Sequence, residues 1–150
     1  MNILRQNTDY ALRVMVNLAR NYDRRPVSAR LLADQEDISY QFASKILQQL
    51  HNAGLIDSRM GPKGGFSLSK PPARIELLNV IEAIQGPVKL NKCLLGAKVC
   101  PRRPKCAVSG KLLELQKHIE DYFHGITLDQ FLKRRPKTRK KVKRPRSLRT

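Results

Sequence analysis

Cys93, Cys100 and Cys106 fall within 14 residues in a C-x6-C-x5-C arrangement, on a polar stretch containing Pro and Gly. Structural thiols ordinarily sit on apolar faces, so this setting points to coordination or redox chemistry rather than packing. Zinc sites are built from C-x2–4-C pairs with a fourth Cys or His at short spacing, and those pairs are missing here. An iron–sulfur cluster asks for thiolates on a loop long enough to wrap it, which this stretch supplies. Lys92, Lys98, Arg102, Arg103 and Lys105 interleave the cysteines. Nearby cations lower thiol pKa values and offset an anionic cluster, and they would equally serve a basic surface. Pro101 and Pro104 keep the stretch out of regular structure. The spacing ranks an iron–sulfur cluster ahead of zinc, with a metal-free thiol switch behind both.

A second set of residues suits base and phosphate recognition. Ser39, Tyr40, Gln41, Ser44, Lys45 and Gln48 occupy the polar face of a helix whose opposite face carries Phe42, Ile46, Leu47 and Leu50. Gln is shaped to read adenine, and a serine at a helix start can donate to a phosphate. At the start of this helix Gln41, Phe42, Ser44 and Lys45 are the expected base-edge positions. Arg59 and Lys63 flank a Gly-rich turn, Gly61-Pro62-Lys63-Gly64-Gly65, whose glycines allow close approach to a narrow groove.

The elements that must position these groups follow from periodicity. Tyr10, Val14 and Leu18, with Ala11 and Met15, predict an amphipathic helix over about 3–21. Ser28 caps a short helix with Leu31 and Leu32 inward, and the reading helix ends where Gly54 takes the left-handed position. Leu55-Ile56 and Phe66-Leu68 are strand-like runs around the glycine turn. A helix at about 75–85 stops at Gly86-Pro87, a loop spans 88–108, and Leu112 to Phe123 build a longer helix. Thr127 with Gln130 predicts a capping box opening a last short helix. Helix, short helix, turn, helix and glycine-tipped hairpin is the order of a winged helix-turn-helix, so the expected fold is mainly α with a small two-stranded wing. The expected organisation is a DNA-binding unit over 1–72, a cysteine-loop and long-helix unit over 73–132, and a disordered basic tail over 133–150.

The 150 residues carry 30 Lys and Arg against 12 Asp and Glu, a formal charge of +18. Residues 133–150 hold 11 of the basic residues and no acid, which leaves 19 − 12 = +7 for the body. Such an arm binds phosphates by counterion release and adds affinity without specificity. No 18-residue apolar run exists and the start lacks a signal-peptide pattern, which predicts a cytoplasmic chain with no membrane partner. An enzyme is disfavoured: there is no C-x-x-C, no phosphate-binding glycine loop, and His51, His118 and His124 are scattered.

The segments TDYALRV at 8–14, ISYQFASKILQQLHNAGLI at 38–56 and GPKGGF at 61–66, together with the three cysteines, resemble the IscR and NsrR family of bacterial winged-helix regulators over about residues 1–133. The resemblance implies a homodimer paired through the long helix at about 110–124. It also implies an iron–sulfur cluster, [4Fe-4S] or [2Fe-2S], near that helix and regulated binding to a palindromic promoter site. The first cysteine gap is one residue longer than the five common in the family. IscR-like members place a His three residues after the last Cys, where this chain has Ser109. NsrR-like members use an Asp near the N-terminus that reaches the cluster from the partner, which Asp9 in Thr8-Asp9-Tyr10 matches. Asp9 is equally a helix-start carboxylate favoured by the dipole. The expected function is therefore a cluster-dependent transcription repressor responding to nitric oxide, redox or iron–sulfur status. The rival is a general nucleic-acid-binding protein with a structural zinc in the cysteine loop.

Overall fold

The computed structural model describes residues 3–133 apart from Ala97. The expectation of a disordered arm falls, beyond Lys133, outside the described residues. Helix α1 (Gln6–Arg20) buries Ala11, Val14, Met15 and Leu18 along one stripe, as their spacing dictates. It starts later than its periodicity implies because a distant side chain captures the residues ahead of it. Gln85 accepts from the Arg5 amide (3.0 Å) and donates to the Ile3 carbonyl (2.9 Å), while the buried Thr8 hydroxyl donates to the same Gln85 oxygen (2.7 Å).

Helix α2 (Ala29–Gln35) opens on Ser28, whose hydroxyl accepts from the Leu31 amide. Leu32 is fully buried but Leu31 is 47% exposed, which corrects the expectation that both point inward. Successive residues lie about 100° apart on a helix, and seven residues bury only a narrow stripe. Helix α3 (Tyr40–Asn52) is capped by Ser39 and ends in paired bonds from the Gly54 amide to His51 and from the Leu55 amide to Leu50. Gly54 holds φ +73°, the left-handed C′ residue that closing bond pair requires.

Strands β1 (Ile56–Arg59) and β2 (Gly65–Leu68) form an antiparallel hairpin with Ile56 opposite Leu68 and Arg59 opposite Gly65. The hairpin is tied to the α1–α2 connection by reciprocal bonds between Val27 and Phe66 (2.9 and 2.8 Å). That approach depends on Gly65: at φ +143°, a Cβ there would lie 2.6 Å from the Val27 backbone.

Helix α4 (Leu77–Gln85) begins at a cap the sequence reading did not isolate, with the Asn79 side chain accepting from the Glu76 amide at 3.0 Å. Helix α5 (Ala107–His124) follows the cysteine loop. The expected final helix is instead a 3-10 turn, Leu128–Phe131, without a capping box. Thr127 gives its hydroxyl to the Asp129 carboxylate, and its backbone is held extended in a bridge to Glu76. Two further bonds, Leu77 amide to Ile126 and Leu128 amide to Ile75, draw the turn inward so that Leu128 is fully buried.

One core therefore runs from Ala11 on α1 through Leu32, Leu47 and Ile56 to Val80 and Leu128. It crosses residue 72, where the sequence suggested a boundary. A smaller cluster of Leu77, Leu78, Ile81 and Val88 packs against Phe123 and joins α4 to α5.

Gly65→Ala should push β2 off Val27 and cost about 1–3 kcal/mol in urea unfolding. His124 donates to the Glu76 carboxylate, which holds the imidazole above its ordinary range, with Glu82 and Asp121 adding attraction. A raised folded pKa stabilises fully below the unfolded value and loses that contribution as pH climbs through the folded one. Thermal melts should show His124→Gln most destabilised below the ordinary imidazole range, about pH 6.5, with the deficit shrinking as pH rises above it.

Candidate cluster-binding loop and nucleic-acid interface

The cysteine loop is fastened at both ends by polar side chains of α5. Gln116, buried on α5, accepts from the Leu90 amide (2.9 Å) and donates towards the Val88 carbonyl and the Glu120 carboxylate. Glu120 also pairs with Lys89 at 3.1 Å. The Gln116 and Lys89 hydrogen bonds hold the Glu120 carboxyl below the usual range. At the other end the buried Ser109 hydroxyl reaches the carbonyls of Cys106 (2.8 Å) and Arg103 (3.0 Å). Ser109 occupies the position at which the resemblance places histidine in IscR-like members, and here it serves as a clasp rather than a ligand.

Between these fastenings Cys93 lies in a 3-10 turn, Lys92–Leu95, Cys100 in an irregular segment, and Cys106 at the N-cap of α5. All three are free thiols and half-buried. Cys106 is held below the ordinary thiol range first by the Ser109 amide, then by the Val108 amide, with a smaller pull from Arg102. These are the unpaired amides of a helix start, and they favour the thiolate needed for metal ligation or nucleophilic attack. The donor chemistry thus suits a thiolate-held cluster, and Cys93, Cys100 and Cys106 are the residues that would hold one. Among the described residues no three His, Cys, Asp or Glu side chains converge on one point. Asp9 is not brought to it within the protomer. It sits exposed in the first turn of α1 and pairs with Arg13 at 3.0 Å.

The second site is built by α3 and the wing. The Ser39 hydroxyl accepts from the Phe42 amide (3.2 Å), which leaves its proton free for an outside acceptor. Tyr40, Gln41, Lys45 and Gln48 are exposed on α3, and Ser44 is half-buried beside them. Phe42 departs from its expected base-edge role. It packs against the core with its ring edge-on to Tyr10, centroids 5.5 Å apart. Arg59 and Lys63 are exposed on the wing. A shallow cleft of about 250 Å³ separates α3 from the hairpin, lined by Tyr40, Ser44, Gln48, His51, Ser58 and Phe66 with Ala29. Arg30 extends the surface: its guanidinium lies 5.7 Å from the Tyr40 ring centroid, a stacking geometry. Sequence reading missed Arg30, His51 and Ser58. Arg30 alone left a signal, as a cation two residues after the Ser28 cap.

Comparison with known proteins gives the family. Residues 4–134 match the Rrf2 family, described as an iron-dependent transcriptional regulator. The chain is similar to an HTH-type transcriptional regulator of Aquifex aeolicus, 34% identical over 82% of this chain and 86% of that protein. It is also similar to the HTH-type transcriptional regulator IscR of Vibrio campbellii, 28% identical over 83% of this chain and 73% of that one. Among solved structures T. potens IscR superimposes with a TM-score of 0.68 at 25% identity, covering 86% of this chain and 85% of the other. With the winged helix-turn-helix in place, the chain belongs to the Rrf2 family of DNA-binding transcriptional regulators.

Proposed function

We propose that this chain is a homodimeric repressor on a palindromic promoter site, and that an iron–sulfur cluster held by Cys93, Cys100 and Cys106 sets its DNA affinity. The observation that carries the reading is where the thiols lie. They share one loop, and that loop ends at the N-cap of a helix on which several apolar side chains are exposed among the described residues. Val108, Leu115 and Tyr122 on α5 are all exposed along one face, a surface suited to a second copy of the same helix. Asp9 of the partner protomer is the proposed fourth ligand. A carboxylate is a hard donor on a soft thiolate-held iron, so it is readily displaced, which suits nitric oxide, redox or iron–sulfur status as the signal.

On the DNA side Gln41, Ser44, Lys45 and Gln48 are the proposed base-edge readers, with Tyr40 beside them. Ser39, Arg59 and Lys63 are the proposed phosphate or minor-groove contacts. Phe42 supports α3 from the core and drops out of the contacting set.

Air-free purification should yield a brown protein with visible absorption and matched iron and sulfide. Cys93→Ser, Cys100→Ser and Cys106→Ser should each bleach it and change DNA affinity. A colourless chain carrying one zinc per protomer would instead establish the structural-staple alternative and end the sensor reading. In titrations against a selected duplex, Gln41→Ala should cost about 1–3 kcal/mol and relax preference at one base pair. Arg59→Ala should weaken all sequences alike and lower the salt slope by about one.

A further inference from the structure

We propose that Met60, at the tip of the wing, is an apolar wedge that enters a base step of the minor groove and bends the bound duplex. This rests on the duplex-recognition reading above and adds a deformation of the DNA to it. Met60 is 96% exposed, the most exposed large hydrophobic side chain among the described residues. The next most exposed, Tyr122 at 69% and Val108 at 64%, lie on α5. Val108, Leu115 and Tyr122 lie along one line of α5, and Tyr40 carries Arg30 over its ring. Met60 has no such setting and contributes nothing to the core.

Its surroundings point to a polyanionic groove. Arg59 precedes it and Lys63 follows three residues later, both exposed and neither ion-paired among the described residues. The tip is also firmly built. The Gly64 amide closes on the Gly61 carbonyl at 3.0 Å, and a Cβ on Gly64 would stand 2.1 Å from the Arg59 carbonyl oxygen, so the turn is as narrow as backbone allows. The paired bonds to Val27 brace the hairpin from behind. A braced tip can deliver force to a base stack, which a loose loop cannot. Methionine is unbranched and polarizable, and side chains of this kind part a base step in the minor groove and kink the helix towards the major groove.

The test uses the full chain and a duplex that it enriches from a random-sequence library. Bend is read by energy transfer between end-attached dyes, and unstacking by 2-aminopurine substituted at successive steps under the wing. The unsubstituted chain should bend the duplex and brighten the probe at one step. Met60→Ser should lose at least half of that bend and the brightening, with affinity lowered by no more than about tenfold. Met60→Leu should keep both, and each variant should melt with the unsubstituted chain. Equal bend and equal brightening with Met60→Ser would overturn the wedge while leaving duplex recognition intact. Failure to enrich any sequence would instead remove duplex recognition, and the wedge with it.

Discussion

The reading helix and the wing are both mounted on the buried stripe of α1. Ala11, Val14, Met15 and Leu18 are each 1% exposed or less, and α3, α4, β2 and the returning 128–131 turn all pack on that helix. The consequence is mechanical. A core packed to crystal-like density does not flex gradually, so α3 and the wing hold one orientation relative to α4. The Gln85 hydrogen bonds to Ile3, Arg5 and Thr8 add a polar lock at the one end of α1 where the apolar stripe gives out. Thr8 is fully buried, and its hydroxyl is satisfied only by Gln85, so the two side chains depend on each other.

The cysteine loop is attached to this body differently. Its ends are fixed by Gln116 and Ser109, both borne on α5, and between them Leu94 is the only buried side chain among the described residues. Helix α5 in turn meets the body through the small cluster of Leu77, Leu78, Ile81 and Val88 and through the His124–Glu76 pair. A rearrangement of the loop is therefore felt first by α5. It reaches the reading helix through α4, which packs on α3 directly and also on α1, a route made of packed helices. In the proposed dimer, α5 is also the element that sets how two protomers are disposed. The loop is thus placed to alter the arrangement of two reading heads more readily than the shape of either one.

The fold was legible where periodicity and punctuation agree. The α1 stripe, the Ser28 and Ser39 caps, Gly54 and the glycine hairpin each leave a local signature, and each stands where its signature puts it. What escaped the sequence was decided by distant partners. Gln85 shortens α1 from 77 residues away, and Glu76 pairs with Thr127 to deny the last segment a helix. Leu31 was misassigned because two adjacent leucines in a short helix cannot both face one core. The thiols, the α3 polar face and the wing cations were visible as types in a pattern. Arg30 over Tyr40, the bracing of the wing by Val27 and the Ser109 clasp were not, since each joins residues whose identities alone suggest nothing. Phe42 shows the same limit in reverse. Its place in the helical repeat fits both the core and the groove, and only the Tyr10 ring beside it decides between them.

Charge explains attraction to nucleic acid but not choice among sequences. Residues 133–150 bring 11 of the 30 basic residues, and their pull on phosphates is the same for every duplex. Loading a thiolate site changes the net charge by only a unit or two, small against +18 and screened beyond about 8 Å at physiological salt. A switch that acted through charge would therefore alter binding to all DNA slightly, and to none decisively. Geometry is the stronger lever. Two reading helices on a palindrome must match half-sites about 34 Å apart, and a displacement of a few ångströms carries glutamine side chains out of hydrogen-bond reach of base edges. Because each head is rigid around α1, such a displacement would arise, in the proposed dimer, between protomers. In that proposed arrangement α5, carrying the cysteine loop on its first turn and exposed apolar side chains among the described residues, is positioned to act.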